Sequence, residues 1–195
     1  MPIIKIYPSK RPVRGILQYI TRGDTVPEEL IRTNGCDILD AEQEFSDIAR
    51  YYNKPTGVGN RTYYHMIVSY NTTYEKISPE EVRDMVKDLC QRTKIDCYQW
   101  YLAVHTDRPD HMHAHVVINN VSYRGDRKQH VKAGKSFQST GKLRHELMEK
   151  GNVICKEHGY EHSLVNTKSK AQERLTRAEL ALAAKGEISW KENPD

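Results

Sequence analysis

No stretch of about 18 consecutive apolar residues occurs in this 195-residue chain, so a membrane-spanning helix is not expected. The amino-terminal segment MPIIKIYPSKRPVRG has only a four-residue apolar stretch and no small-residue cleavage site, so no secretory signal is expected either. The four cysteines (Cys36, Cys90, Cys97 and Cys155) form no CxxC pair, which argues against a cysteine zinc site or a disulfide framework and for reduced thiols in a cytosol. Internal repeats and low-complexity segments are absent. With 37% apolar and 29% charged residues, the composition is that of a polar globule long enough to bury a core.

Acids are missing from one segment altogether. Residues 1–23 carry Lys5, Lys10, Arg11, Arg14 and Arg22 with no carboxylate, whereas residues 24–50 carry eight acids against Arg32 and Arg50. Residues 122–144 return to seven basic side chains and one acid, Asp126. If the two basic segments folded onto one face they would make a footprint for a polyanion; if not, they are ordinary solvated surface.

The apolar periodicities predict an α+β fold, a largely antiparallel sheet covered by helices. Strands are expected at 3–7, 62–70, 97–105 and 115–122, and helices at 11–22, from Asp40 as N-cap, from Ser78, and from Leu143 to about His158. Ser78-Pro79-Glu80-Glu81 combines a capping serine, proline in the first turn and acids at the helix start. Residues 23–39 read as irregular. A charged stretch, 171–186, reads as a helical tail, so the chain divides into a domain at 1–165 and a tail at 166–195 that could open a further C-terminal region.

What is plentiful is histidine between two strands. HTDRPDHMHAHVVIN, residues 105–119, holds four of the nine histidines. Strand alternation puts His113 and His115 on one face, and His105, at the end of the preceding strand, can join them if the two strands form a hairpin. Three neutral imidazoles around a divalent cation leave coordination positions open, as catalytic sites do. His111 has the same parity but precedes the strand. A chance polar strand face is the alternative reading.

The segments LAVHTD and HMHAHVVINNV resemble the metal-binding motif of conjugative relaxases, the mobilisation nucleases of the histidine–hydrophobe–histidine superfamily (MOB-P-like); Ala114 is a small hydrophobe between the paired histidines. YYHMIVSY resembles that family's histidine–apolar–serine strand, ISPEEVRDMVKDL its following helix, and ILQYITR its tyrosine-bearing first motif. The resemblance spans most of residues 1–160. It implies a bacterial, cytoplasmic nickase acting on single-stranded DNA at an origin of transfer. Its cofactor would be a divalent ion (Mn²⁺ or Mg²⁺), with auxiliary relaxosome proteins and a coupling ATPase as partners.

The implied chemistry is attack by a tyrosine hydroxyl on a DNA phosphate, leaving a 5′-phosphotyrosine that preserves the bond for rejoining. A free phenol is poorly ionised at neutral pH, so such a nucleophile needs charge stabilisation nearby. The match points to Tyr19 as nucleophile, although Leu17 and Ile20 beside it equally suit core filling; the Tyr51-Tyr52 pair is the next candidate. His65 is expected to orient a ligand or to be structural, and Asp107 to fix an imidazole tautomer or to turn a loop. Arg14, Arg22, Arg124, Arg127, Lys128, Lys132 and Lys135 are the candidate DNA contacts, with Tyr123 and Phe137 as candidate stacking aromatics. Two other readings stay open: a rolling-circle replication initiator using Tyr160, and a non-catalytic module with a structural metal.

Overall fold

The computed structural model describes residues 3–22, 26–55, 59–70, 72, 75–107 and 112–160. His111 and the expected tail helix lie outside the described residues. Along the chain run β1 (Ile3–Ser9), α1 (Val13–Thr21), β2 (Ile31–Asn34), α2 (Ala41–Tyr51), β3 (Tyr63–Ser69), α3 (Pro79–Gln91), β4 (Tyr98–His105), β5 (His113–Ser122) and α4 (Gly141–Glu157). The strands form one sheet in the order β1-β3-β5-β4-β2, antiparallel at every pairing. The expected α+β architecture is therefore present, with the histidine-bearing strands β4 and β5 side by side.

Strand alternation splits the sheet into two chemically different faces. On one, Met66 and Val68 of β3, Leu102 and Val104 of β4, and Ala114, Val116 and Ile118 of β5 are buried to within 1% of completely. Helices α3 and α4 pack together over this face, where the Tyr70 phenol lies among Cys90 of α3 and Cys155 of α4. Burying each large apolar side chain contributes roughly 1.5–3 kcal/mol. The opposite face presents His65 and Ile67 of β3, Gln99 and His105 of β4, and His113, His115 and Asn119 of β5. Helices α1 and α2 cover it in part. Asn119 Nδ2 donates to the Phe45 carbonyl of α2 at 3.1 Å and to Gln99 Oε1 at 2.8 Å, so this layer is held by polar bonds as well as packing.

Three expectations need correction. The acidic segment 23–39, read as irregular, contains the 3-10 turn Glu28–Leu30 and the edge strand β2, which pairs with β4 from Ile31↔Ala103 to Asn34↔Trp100. Four residues are too few to show alternation, and a paired edge rescues a sequence that would not be a strand alone. Asp40 precedes α2, but its side chain makes no capping bond. Glu44 Oε2 instead accepts the Asp37 amide at 2.9 Å. Phe137 is fully buried against Tyr64 and Tyr98, with ring centroids 4.7 and 4.9 Å away, so it offers no stacking surface.

The start of α3 follows its sequence signature: the Ser78 side chain accepts the Glu81 amide at 3.2 Å and Glu81 Oε2 accepts the Ser78 amide at 2.8 Å. Tyr160 closes the same site from the far end of the described fold, its hydroxyl donating to Glu81 Oε1 at 2.6 Å. These bonds favour the ionised carboxylate, Tyr160's first among them, and hold its pKa below the usual carboxylate range. A carboxylate with a depressed folded pKa adds stability above its unfolded pKa and loses it as pH falls through the folded value. Glu81→Gln should therefore lower the melting temperature at pH 7, and the gap to the unsubstituted protein should close as pH drops below the ordinary carboxylate range; thermal melts across pH check this.

Candidate active site

The register of the β4–β5 hairpin sets the site. His105, the last residue of β4, stands directly opposite His113, the first of β5. His115 follows two residues on, on the same face. The three rings meet at centroid distances of 5.2 Å (His105–His113), 4.4 Å (His105–His115) and 4.9 Å (His113–His115). One nitrogen from each lies within 4.8 Å of the others. Metal–nitrogen bonds of about 2.1 Å place neighbouring donors roughly 3–3.5 Å apart, a gap that small side-chain rotations close.

Two of the rings are held by different elements. His105 is 2% exposed, and its Nε2 lies 2.7 Å from the Ile20 carbonyl of α1. A carbonyl only accepts, so this nitrogen carries the proton and the lone pair of the neutral ring is on Nδ1. His115 Nδ1 lies 2.8 Å from His65 Nε2, and those rings stack with centroids 5.0 Å apart. His65 is two registers along β3 from the position facing His115, and such diagonal neighbours are within reach of a ring. His113 is half-buried and forms the open side.

Two observations fit this cluster to a cation. His115 Nε2 is buried with no hydrogen-bond partner among the described residues, which costs about 1–3 kcal/mol unless something coordinates it. The His105 and His115 rings are also pushed toward the neutral form, the state a metal requires. Burial, reinforced by His105 and the other neighbouring rings, pulls the His115 pKa down to about 2. Burial and His105 take His65 to about 4. Burial lowers His105 too, against its bond to Ile20. If His115 Nδ1 carries the proton and donates to His65, its Nε2 lone pair is left for a cation.

Tyr19 stands over this cluster. Its ring is 6.1 Å from that of His105 and 5.6 Å from that of His115, yet the residue is 57% exposed. Its neighbour Ile20 is completely buried and takes up the core-filling role. Helix α1 ends there: Arg22 adopts the left-handed conformation, and its amide donates to the Gln18 and Tyr19 carbonyls. The Arg22 side chain turns back to the cluster, with Nη2 3.3 Å from His105 Nδ1 and 2.9 Å from Asp107 Oδ2. Asp107, expected to hold an imidazole, thus reaches the cluster through Arg22, whose guanidinium keeps its carboxyl below the usual range.

The other candidates lie elsewhere. Tyr160 is on the α3 side of the sheet, where burial and Glu81 push its hydroxyl up to about 12. Tyr52 packs against Gly134, beside the basic segment that follows β5. That segment begins beyond Ser122, nine residue steps of about 3.3 Å from His113, so it sits roughly 30 Å along the strand from the cluster. There, Arg124 pairs with Asp96 and lies over the Tyr123 ring, and Lys135 Nζ donates to the His130 carbonyl at 3.0 Å. Arg127, Lys128 and Lys132 share this stretch, all exposed, whereas Arg14 is exposed on α1. Sequence reasoning gave Arg22 no place at the cluster; its position three residues after Tyr19 at a helix end was the available signal.

Two outcomes test the cluster. Mn²⁺ should raise the melting temperature of the unsubstituted protein and leave that of His113→Ala unchanged. His65→Ala, which keeps all three ligands, should weaken Mn²⁺ affinity about 10–100-fold in calorimetry.

Among known proteins, two curated relatives called "Protein rlx", both from Staphylococcus aureus, are 29% identical over 158 residues and 27% identical over 157. Each alignment covers 80% of this chain, but only 44% and 42% of the relatives, so the chain spans less than half their length. A solved structure described as "Molecular Basis of Vancomycin Resistance Transfer in Staphylococcus aureus" has a TM-score of 0.59 at 9% identity, covering 87% of this chain and all of that one, a likeness of fold alone. Residues 19–160, which run from the tyrosine over the cluster to the close of the described fold, match the family model of the relaxase, MobA/VirD2-like, nuclease domain, and the chain belongs to that family.

Proposed function

We propose that this chain nicks one strand of DNA at an origin of transfer and rejoins it after transfer, with Tyr19 as the nucleophile. The observation that carries the reading is the position of Tyr19: accessible to a polymer substrate, and with its ring within 6.1 Å of two of the three clustered imidazoles. In this reading the Tyr19 hydroxyl attacks phosphorus, the bond to the 3′-oxygen breaks, the phenolic proton is given up and the 3′-oxygen leaves as a hydroxyl. The product is a 5′-phosphotyrosine, and because no high-energy bond is spent the reverse step reseals the strand.

His105, His113 and His115 would hold a divalent ion, Mn²⁺ or Mg²⁺, which would offset the charge building on the phosphoryl oxygens. His65 orients His115. Arg22 and Arg14 supply positive charge on either side of Tyr19 along α1, placed to draw in the phosphates flanking the reacting one. Asp107 holds Arg22 at the edge of the cluster. The basic stretch Arg124, Arg127, Lys128, Lys132 and Lys135 would take DNA further from the nick. Auxiliary proteins at the origin and a coupling ATPase, in a bacterial cytoplasm, complete the reading, as does a division into a nuclease domain at 1–165 and a tail at 166–195. Tyr160 is bonded to Glu81 on the other side of the sheet, which disfavours the replication-initiator reading.

Incubation with a single-stranded oligonucleotide spanning the nick site and Mn²⁺, followed by a denaturing gel, should give a slow protein–DNA band. Tyr19→Phe should abolish that band with no loss of melting temperature, because the side chain is exposed, and Tyr160→Phe should keep it. A band that survives Tyr19→Phe refutes the assignment of the nucleophile, and its absence from every version refutes the strand-transfer reading.

A further inference from the structure

An apolar cavity of about 320 Å³ lies on the same face of the sheet as the histidines but toward the other end of α1. Its walls are Pro12 and Val13 at the start of that helix, Phe45 and Ala49 of α2, and Val121 of β5. Val13 is six residues from Tyr19, about 9 Å along the helix axis. The rim is polar: Lys10, Arg61, Glu42 and Asn120 all border it. Lys10, Arg61 and Glu42 are exposed, while Asn120 Oδ1 is buried with no hydrogen-bond partner among the described residues.

The cavity also continues into a furrow. Pro55, Arg61 and Asn120 line a second hollow as well, and Ser136 and Gln138 are shared between that one and a third. Cations mark the route: Lys10 and Arg61 at the first, Lys54 at the second, and Lys94, Lys128 and Lys135 at the third. The two basic segments of the sequence are thereby joined along one path, which begins at the helix carrying Tyr19.

We propose that the apolar cavity takes one unstacked base of the single strand, whose phosphates follow the basic furrow; the proposal rests on the strand-nicking reading above. The shape and chemistry favour a base over an apolar molecule. A flat heteroaromatic ring fills an apolar slot, its phosphates meet Lys10 and Arg61, and its polar edge faces a carboxylate and an amide. Glu42 only accepts, so it favours a base with an exocyclic amino group, as in cytosine, over thymine.

The test is fluorescence anisotropy with the full chain in EDTA, so that no strand is cut. The probes are oligo-dC, oligo-dT and an abasic strand, each of about 20 nucleotides. Ser46 is half-buried on α2 and lines the cavity, so Ser46→Leu fills it with a residue that suits a helix. Ser46→Leu should lower oligo-dC affinity about tenfold, the scale of one stacked base, and leave abasic-strand affinity unchanged. Glu42→Gln, at an exposed position that does not endanger folding, should shrink the preference for oligo-dC over oligo-dT severalfold. An unchanged dC-to-dT preference in Glu42→Gln overturns the proposal, as does a Ser46→Leu protein that binds oligo-dC normally or loses both strands equally. If the unsubstituted protein binds the probes but the variants leave base preference intact, only the cavity assignment falls; if it binds none of the strands, the nickase reading falls with it.

Discussion

The hydrogen bond from His105 Nε2 to the Ile20 carbonyl, at 2.7 Å the shorter of two contacts between the end of α1 and this ring, couples the two halves of the site. The last carbonyls of any helix lack intrahelical partners, and here a strand-end histidine satisfies one of them. The bond fixes the end of α1 against the end of β4, and Tyr19, one residue before Ile20, is set over the cluster as a consequence. It also decides the His105 tautomer, since the carbonyl leaves no choice of donor. A histidine at this point thus serves helix termination, tautomer selection and cluster geometry together.

The cluster depends on the two faces of the sheet being covered unequally. Helices α3 and α4 bury one face completely, whereas the other keeps a gap beyond α1 where His113 and Tyr19 reach solvent. Packing four histidines, with His65, into that half-open layer would be untenable if they were charged. Burial keeps His115 and His65 neutral well below neutral pH, and His115 Nε2 has no hydrogen-bond partner among the described residues. The same low-dielectric setting strengthens any interaction between a bound cation and a phosphate.

Charge is arranged at longer range. The acid-free amino-terminal segment supplies Arg14 on α1 and Arg22 at its end, before and after Tyr19 in the chain, while the basic segment after β5 lies about 30 Å from the histidines, measured along the strand.

Much of this was legible in the sequence because it depends on local rules. A period of two placed His113 and His115 on one face of β5, and the serine–proline–acid signature predicted the capped start of α3, both independent of distant residues. Strand β2 was not legible, because its four residues are strands only by pairing with β4. The absence of a side-chain cap at Asp40 and the burial of Phe137 were equally hidden, since each follows from which neighbours the fold delivers. Tyr19 was a choice between core and surface that helical periodicity left open, with Leu17 and Ile20 on either side; in the fold Ile20 is completely buried and Tyr19 is exposed. The chain alone therefore determined which chemical groups were available and on which face of each element they fell. Only the folded sheet decided which of them meet, because convergence of α1, β3, β4 and β5 is a matter of register and packing between segments up to about a hundred residues apart, to which local propensity is blind.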